Sequence, residues 1–271
     1  MKLLPKIYIG VIFLLLYAPI LVVVLFSFNS SESLSSFSGF STKWYEELFR
    51  DGAALSALKN SLILAVSASC LATVLGTLAS FGIARAKSKR YQRMMEGVSN
   101  IPMMNPDIVT GISMMLLFVG VGTLINVTDV LGFWTMLIAH TTFCLPYVML
   151  SVLPRFRQMD KSLTEAALDL GCTPAKTFLR VELPFIMPGV VSGLMMSFAL
   201  SLDDFIISHF VSSPDFVTLP LYIYNQTVHN VKFSTYALCT LMIVAILALL
   251  IAINLSDTVG ERRDRKKQGV K

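Results

Sequence analysis

Charged residues are scarce in this chain: they make up 14% of its 271 residues, whereas hydrophobic residues make up 55% and the mean hydropathy is +0.69. A soluble domain needs more charge than this to cover its surface. A helix of about 20 mostly apolar residues can cross the hydrocarbon core of a bilayer. The composition therefore excludes an ordinary soluble protein and predicts an all-α membrane protein.

Six apolar runs are long enough to cross a bilayer. The run at 98–122 carries Asn105, Pro106 and Asp107 near its start. We expect its regular helix to begin only at Pro106, a residue that suits a first helical turn. We predict a single transmembrane domain over residues 1–271. Its predicted spans are residues 7–28, 61–84, 98–122, 132–153, 186–209 and 236–255, and a loop at 154–185 joins the fourth span to the fifth.

Lysine and arginine are nearly absent from the segments that follow the odd-numbered spans. Of the 22 cations, those segments hold only Lys43, Arg50, Lys59 and Lys232. The other eighteen lie before the first span, after the even-numbered spans or at the end of the chain. Cytoplasmic loops are enriched in Lys and Arg. We therefore predict that both termini and the loop at 154–185 are cytoplasmic. The net charge of +5 then reflects topology rather than nucleic-acid binding.

Patterns typical of several enzyme classes are missing as well. The cysteines are scattered, without the spacing of a metal site or of a disulfide framework, and the three histidines lie in different segments. The nearest approach to a phosphate-binding loop is at Lys176, but Ala175 and Leu170 occupy positions that require glycine. We expect no catalytic, metal or nucleotide site in this chain, so any ATP hydrolysis must occur in another polypeptide.

The second span has small residues at every fourth position, which share one face of a helix. They are Ala68, Ala72, Gly76, Ser80 and Ala84. Helices associate in lipid through close van der Waals contact, which small side chains permit. This stripe predicts a helix–helix face, formed either within this chain or with a partner chain.

A polar segment between the fourth and fifth spans carries a spaced pattern of seven residues. They are Glu165, Ala166, Ala167, Gly171, Val181, Leu183 and Pro184. Gly171 can end a helix in the left-handed region, and Pro174 can begin a second one. We expect Pro184 and Pro188 to end that second helix before the fifth span. A structured polar loop of this kind predicts a protein partner outside the bilayer.

Three carboxylates fall within the predicted spans: Asp107, Asp203 and Asp204. A carboxylate at the centre of a span costs about 2.5–3.5 kcal/mol on insertion scales. Asp107 would lie in a first helical turn, which Asn105 could cap. Asp203 and Asp204 would point about 100° apart on a helix, so we expect one to serve a pathway and the other to pair or cap.

No Lys or Arg shares a span with these acids. They therefore need water, a bound proton, a cation from a partner subunit or a positively charged cargo. A cationic cargo accounts for all three acids. An acid pair hydrogen-bonded to helix ends is the alternative.

The seven-residue pattern resembles the coupling motif of binding-protein-dependent ABC importer permeases, with Val181 where that family commonly has isoleucine. The resemblance implies the type I ABC importer permease fold with six spans. It also implies that the loop forms two short helices that dock on a separate ATPase and couple its closure to movement of the spans. The seven motif residues would be the coupling residues.

Further segments resemble the permeases of spermidine/putrescine importers, at residues 28–31, 40–45, 105–109, 140–144 and 201–205. The resemblance implies a polyamine cargo, which agrees with Asp107, Asp203 and Asp204 as the substrate pathway. Permeases for ferric iron or thiamine share the coupling motif, so these cargoes are the alternative. A passive channel, or an intramembrane enzyme that uses two aspartates, is less favoured.

The same resemblance implies the partners. They are a second homologous permease subunit, two cytoplasmic ATPase subunits, an extracytoplasmic polyamine-binding protein and the lipid bilayer. ATP and magnesium would be bound by the ATPase, and no cofactor is expected in this chain. The implied location is the bacterial cytoplasmic (inner) membrane, with several membrane crossings.

Overall fold

The computed structural model describes residues 3–32, 36–229 and 232–248, which are helical apart from short connections and two isolated β-bridges. The helices are α1 (Leu3–Ser27), α2 (Lys43–Arg50), α3 (Gly52–Arg85), α4 (Lys89–Met104), α5 (Asp107–Leu124), α6 (Phe133–Gln158), α7 (Lys161–Asp169), α8 (Pro174–Asp203), α9 (Ile206–Val211), α10 (Leu219–His229) and α11 (Ser234–Ala248). The stretch Phe178–Glu182 of α8 is a π-helical turn within the continuous helix. The prediction of an all-helical fold is confirmed for these residues.

Five helices of the described ranges are long and apolar enough to cross a membrane. They are Lys6–Ser27, Gly52–Arg85, Asp107–Leu124, Phe133–Gln158 and Pro174–Asp203. They overlap the first five predicted spans. For the sixth, the described part is the shorter apolar helix α11, and residues 249–255 lie outside the described residues, as do the C-terminal cations.

The predicted third span is divided between two helices. Residues 98–104 belong to α4, and the backbone becomes extended at Asn105, with φ −77° and ψ 142°. A residue that precedes proline is disfavoured in the helical region, so Pro106 separates α4 from α5. Two expectations are therefore wrong: Asn105 ends α4 instead of capping α5, and the regular helix begins at Asp107 rather than at Pro106.

The predicted fifth span differs from the helix in the structure at both ends. The helix that begins at Pro174 does not end at Pro184 or Pro188, as predicted, but continues to Asp203. The π turn just before Pro184 changes the bonding pattern where the proline ring would meet the preceding turn, so the helix tolerates the missing N–H. The predicted continuation to residue 209 is also wrong, because Asp204 is extended and α9 begins at Ile206.

The small-residue stripe of α3 packs against α6 within this chain. Ala68 and Ala72 are fully buried. A Cβ atom on Gly76 would lie 2.8 Å from the Cβ of Val148 on α6, which is closer than real Cβ contacts allow. The predicted helix–helix face is thereby confirmed. The surrounding core is apolar and includes Leu64, Met136, Cys144, Val152, Ile186 and Ile207.

The chain divides into two compact units. The first comprises the described residues of Met1–Leu58 and Tyr222–Ala252, and the second contains Lys59–Leu221. The single transmembrane domain stays a prediction. In the first unit, the Trp44 indole N–H donates to the Asn29 carbonyl oxygen at 2.6 Å, and the indole ring stacks on Phe233 with the ring centroids 5.3 Å apart.

Asp51 connects several parts of the first unit. Its carboxylate accepts hydrogen bonds from the Tyr222 hydroxyl at 2.9 Å and from the Ala53 N–H at 3.0 Å. Burial alone raises the pKa of Asp51, but the bonds from Tyr222, Ala54 and Ala53 and the charge of Lys232 together lower the pKa below its usual value. Burial and the Asp51 carboxylate raise the pKa of Tyr222 to about 12.

Replacing Gly76 by Ala should weaken the contact between α3 and α6. The added methyl group meets the branched Cβ of Val148, so the helices must separate, and overpacking of this kind costs roughly 1–3 kcal/mol. We expect a lower thermal midpoint in detergent. Gly82→Ala on the same helix is the matched control, because no atom lies within 4 Å of its added methyl group. Equal midpoints for the two variants would contradict the packing argument.

Replacing Asp51 by Asn should change how stability depends on pH. Because folding lowers the pKa of Asp51, its ionised form stabilises the protein at neutral pH, and this contribution is lost as the pH falls through the lowered pKa. We expect Asp51→Asn to have a lower Tm than the wild-type protein at pH 7, and the difference to shrink below about pH 4. Thermal unfolding of both proteins between pH 7 and about pH 4 measures this difference in Tm. A difference that stays constant with pH would contradict the assignment.

Candidate functional site

Helix α7 has a defined beginning and end. The Asp160 carboxylate accepts a hydrogen bond from the Ser162 N–H at 3.0 Å, and this bond, together with one from the Ser162 hydroxyl, lowers the pKa of Asp160. At the other end Gly171 has a φ of +83°. The Gly171 and Cys172 N–H groups donate to the carbonyl oxygens of Leu168 and Ala167, which is a Schellman motif. The prediction that Gly171 ends this helix is confirmed.

Helix α8 begins three residues after Gly171. The Thr173 hydroxyl accepts a hydrogen bond from the Lys176 N–H at 3.4 Å, and Pro174 occupies the first turn. The prediction that Pro174 starts a second helix is therefore confirmed. The turn between α7 and α8 is short, and both of its ends are fixed by local hydrogen bonds.

The seven motif residues separate into an exposed and an inner group. Glu165, Ala166, Gly171 and Pro184 are exposed, whereas Ala167 is buried and Val181 and Leu183 are half-buried. A Cβ atom on Gly171 would meet nothing within 4 Å, so the backbone angle and not the available space favours glycine there. Leu183 of the inner group packs against the core of the spans, and the exposed group lies at the surface.

The surface of α7 and of the start of α8 includes several apolar side chains. Four leucines on it are exposed, Leu170 most of all, at 86%. They are Leu163, Leu168, Leu170 and Leu179. Among the described residues, Glu165 forms no ion pair. We call Glu165, Ala166 and these leucines the α7 surface, because exposed apolar side chains and an unpaired charge within one short segment are typical of a protein interface.

Sequence reasoning missed the role of Glu182, which is not one of the seven motif residues. Glu182 lies between Val181 and Leu183, and its side chain is 2% exposed. Its carboxylate forms an ion pair with Arg85 and accepts a hydrogen bond from the Thr164 hydroxyl at 3.1 Å. The sequence signal that could have indicated a buried acid was its place directly before Leu183 and Pro184, among apolar residues. The sequence does not reveal its partners, because Arg85 and Thr164 lie 97 and 18 positions away.

Asp204 lies at the break between α8 and α9. Its carboxylate accepts hydrogen bonds from the N–H groups of Ile207 at 3.3 Å and Ser208 at 2.9 Å, which are otherwise unsatisfied at the start of α9. The same carboxylate lies 3.5 Å from Nε2 of His140. Asp204 is thus the member of the acid pair that caps a helix.

His140 was also missed as a partner of these acids. It is fully buried in α6, with Nδ1 2.8 Å from the Ser201 hydroxyl and Nε2 3.2 Å from the Ser208 hydroxyl. His140 therefore contacts residues on both sides of the helix break. Sequence reasoning excluded a zinc site for the histidines but did not pair His140 with Asp204, because 64 positions separate them.

Asp203 and Asp107 are both exposed. Asp203 is the last residue of α8, and Asp107 is the first of α5. Gly111 contacts Phe210, and further along both segments Val119 and Ser212 line one cavity, so α5 and α9 run in the same direction. Asp107 lies four residues before Gly111, and Asp203 lies three residues before the start of α9, with the extended Asp204 between them.

A cavity of about 240 Å³ lies beside the start of α5. Its lining alternates polar and apolar side chains and comes from the end of α4, from α5 and from α6. The polar members are Asn105, Thr110, Ser113 and Thr142, and Phe143 provides an aromatic wall. The arrangement can hold a small ligand with both polar and apolar parts.

Replacing Asp204 by Ala should destabilise the protein more than replacing Asp203 by Ala. The first change removes the cap of α9 and leaves buried His140 without its carboxylate, which together cost about 2 kcal/mol. The second removes an exposed side chain and should stay within about 0.5 kcal/mol. Chemical or thermal unfolding of the purified variants measures both. Equal losses would contradict the division between a capping acid and an exposed one.

The sequence was compared with those of known proteins. Residues 72–266 match the family described as binding-protein-dependent transport system inner membrane component. The putrescine transport system permease protein PotI of Escherichia coli strain K12 is 41% identical over 234 residues, which cover 86% of this chain and 83% of that protein. The spermidine/putrescine transport system permease protein PotC of Haemophilus influenzae is 39% identical over 241 residues, covering 89% and 91%.

The fold also matches solved structures. A chain from a bacterial ABC transporter involved in the import of the acidic polysaccharide alginate superposes with a TM-score of 0.73, covering 94% of this chain and 95% of that one. A chain of the MetNI methionine ABC transporter in an inward-facing conformation superposes with a TM-score of 0.58. These two chains are only 13% and 17% identical to this one in sequence, so the comparison shows a similarity of fold alone.

Proposed function

Because this chain belongs to the family of binding-protein-dependent transport system inner membrane components, we propose that it is the permease subunit of an ABC importer for polyamines. The family consists of transport subunits of the bacterial inner membrane and not of enzymes. The observation that carries the coupling part of the proposal is the α7 surface, which the Gly171 turn and the Thr173 cap hold exposed beside the spans.

The α7 surface is the docking site for an ATPase subunit in this proposal. Glu165 supplies a charge, Ala166 allows close approach, and the exposed leucines supply apolar contact area. Ala167, Val181 and Leu183 lie inward and connect the surface to the spans, while Gly171 and Pro184 shape the backbone. ATP and magnesium are bound by the ATPase, and this chain contributes no cofactor site.

Polyamines are the proposed cargo. They are chains of protonated amines, and the putrescine and spermidine/putrescine permeases described above are 41% and 39% identical to this chain. Exposed Asp107 begins α5 and exposed Asp203 comes shortly before α9, which packs against α5. The cavity beside the start of α5 has polar and aromatic walls suited to amines and their methylene spacers. Asp204 supports this pathway indirectly, because it fixes the start of α9.

The proposal includes six spans with both termini in the cytoplasm. The distribution of lysine and arginine supports this topology. The remaining proposed partners are a second, homologous permease subunit, two copies of the ATPase and an extracytoplasmic polyamine-binding protein. Cargo would pass between the two permease subunits by alternating access.

Charge reversal at Glu165 tests the coupling proposal. The chain is reconstituted in liposomes with candidate partner permease, ATPase and binding protein, and ATP-dependent uptake of labelled spermidine and putrescine is measured. We expect Glu165→Lys to reduce uptake by about tenfold or more, since a reversed charge at an interface costs at least 1.4 kcal/mol. Glu47→Lys, at an exposed glutamate of α2, is the matched control. Uptake that ignores the Glu165 change would refute the coupling role.

Neutralising Asp203 tests the cargo proposal. Asp203→Asn keeps the size of an exposed side chain and removes its charge, so we expect a higher KM for polyamines with the thermal midpoint unchanged. Ferric iron and thiamine are assayed in the same vesicles. Uptake of either of these in place of polyamines would favour the alternative cargo, and uptake without ATP would favour a passive channel.

A further inference from the structure

Three helices meet at a single carboxylate oxygen, Oε1 of Glu182. Glu182 is the last residue of the π turn in α8. Arg85, the last residue of α3, donates to this oxygen and forms an ion pair with it, and the hydroxyl of Thr164 on α7 donates to it at 3.1 Å. The Glu182 side chain is 2% exposed and that of Arg85 is 39% exposed, so the carboxylate is shielded from water while the guanidinium is partly solvated.

The partners of Glu182 are themselves held in place. The Arg85 guanidinium lies over the ring of Phe81, 4.6 Å from its centroid. Phe81 in turn packs edge-on against Phe178, with the ring centroids 4.8 Å apart. Phe178 is the first residue of the π turn and Glu182 is the last. The end of α3 therefore contacts both ends of the π turn.

Thr164 is the one contact in this cluster that belongs to α7, and it directly precedes Glu165. A displacement of α7 either carries Glu182 with it or breaks a hydrogen bond to a buried carboxylate, and bonds to charged groups are among the strongest. If Glu182 moves, the ion pair pulls on Arg85 and hence on α3. π turns within α-helices frequently occur at functional sites.

We propose that Glu182 is a positioning residue that transmits movement of α7 to α3 as well as to α8. Thr164 is its connection to the α7 surface, and Arg85 is its connection to α3. This inference rests on the proposed coupling function of the α7 surface. The inference adds α3 to α7 and α8 as a helix that moves. The sequence pattern alone connects the loop only with the fifth span, which follows it in the chain.

The test removes the Thr164 hydroxyl and leaves the Arg85 ion pair intact. Thr164→Val and Thr164→Ser are reconstituted with the full transporter, and spermidine uptake and ATP hydrolysis are measured in the same vesicles. We expect Thr164→Val to hydrolyse ATP at a rate close to wild type, with uptake per ATP lower by roughly threefold to tenfold. Thr164→Ser keeps a donor and should restore the ratio.

Thr227→Val is the matched control, because the Thr227 hydroxyl donates to the Ile223 carbonyl oxygen of its own helix. Its uptake per ATP should equal that of the wild-type protein. If Thr164→Val leaves the ratio unchanged, or lowers uptake and hydrolysis in proportion, Glu182 merely holds the fold and the inference is wrong. If the proposed coupling function is itself wrong, Glu165→Lys leaves uptake unchanged. This result distinguishes failure of the coupling function from failure of the inference about Glu182.

Discussion

Close contact between α3, α6 and α8 is the constraint on which both candidate sites depend. Helices in lipid gain no hydrophobic free energy by meeting one another, so the contact depends on van der Waals packing. Gly76 brings α3 against Val148 of α6, and Gly189 brings α8 so near that a Cβ atom would lie 2.7 Å from the Ser151 carbonyl oxygen. Larger residues at these positions would separate the helices that carry the buried acids and their partners.

The buried acids in this packed region each have a partner from another helix. Glu182 of α8 has Arg85 of α3, and Asp204 has His140 of α6. The exposed acids are Glu165, one helix before Glu182, and Asp203, directly before Asp204. Both lack such a partner among the described salt bridges. Burial therefore separates acids that hold the structure from acids that can meet a partner or cargo, although all four look alike in the sequence.

Local rules predicted the parts of the site that local interactions determine. Gly171 and Pro174 behave as their backbone preferences indicate, because a Schellman turn and a first helical turn involve only neighbouring residues. The partners of Glu182 and His140 could not be predicted this way. Arg85 and Glu182 are 97 positions apart, and His140 and Ser208 are 68 apart, so only the packing of the spans brings them together.

The proline rule failed at Pro184, and this failure changes the mechanical interpretation of the loop. A helix that ended at Pro184 would place a flexible joint between the α7 surface and the fifth span. Instead α8 is continuous for 30 residues from Pro174 to Asp203, about 45 Å at 1.5 Å per residue. One helix thus begins beside the α7 surface and ends at the exposed acid of the proposed pathway. In the proposed mechanism, a displacement at the beginning of α8 would reach Asp203 along this one helix, which includes the π turn Phe178–Glu182.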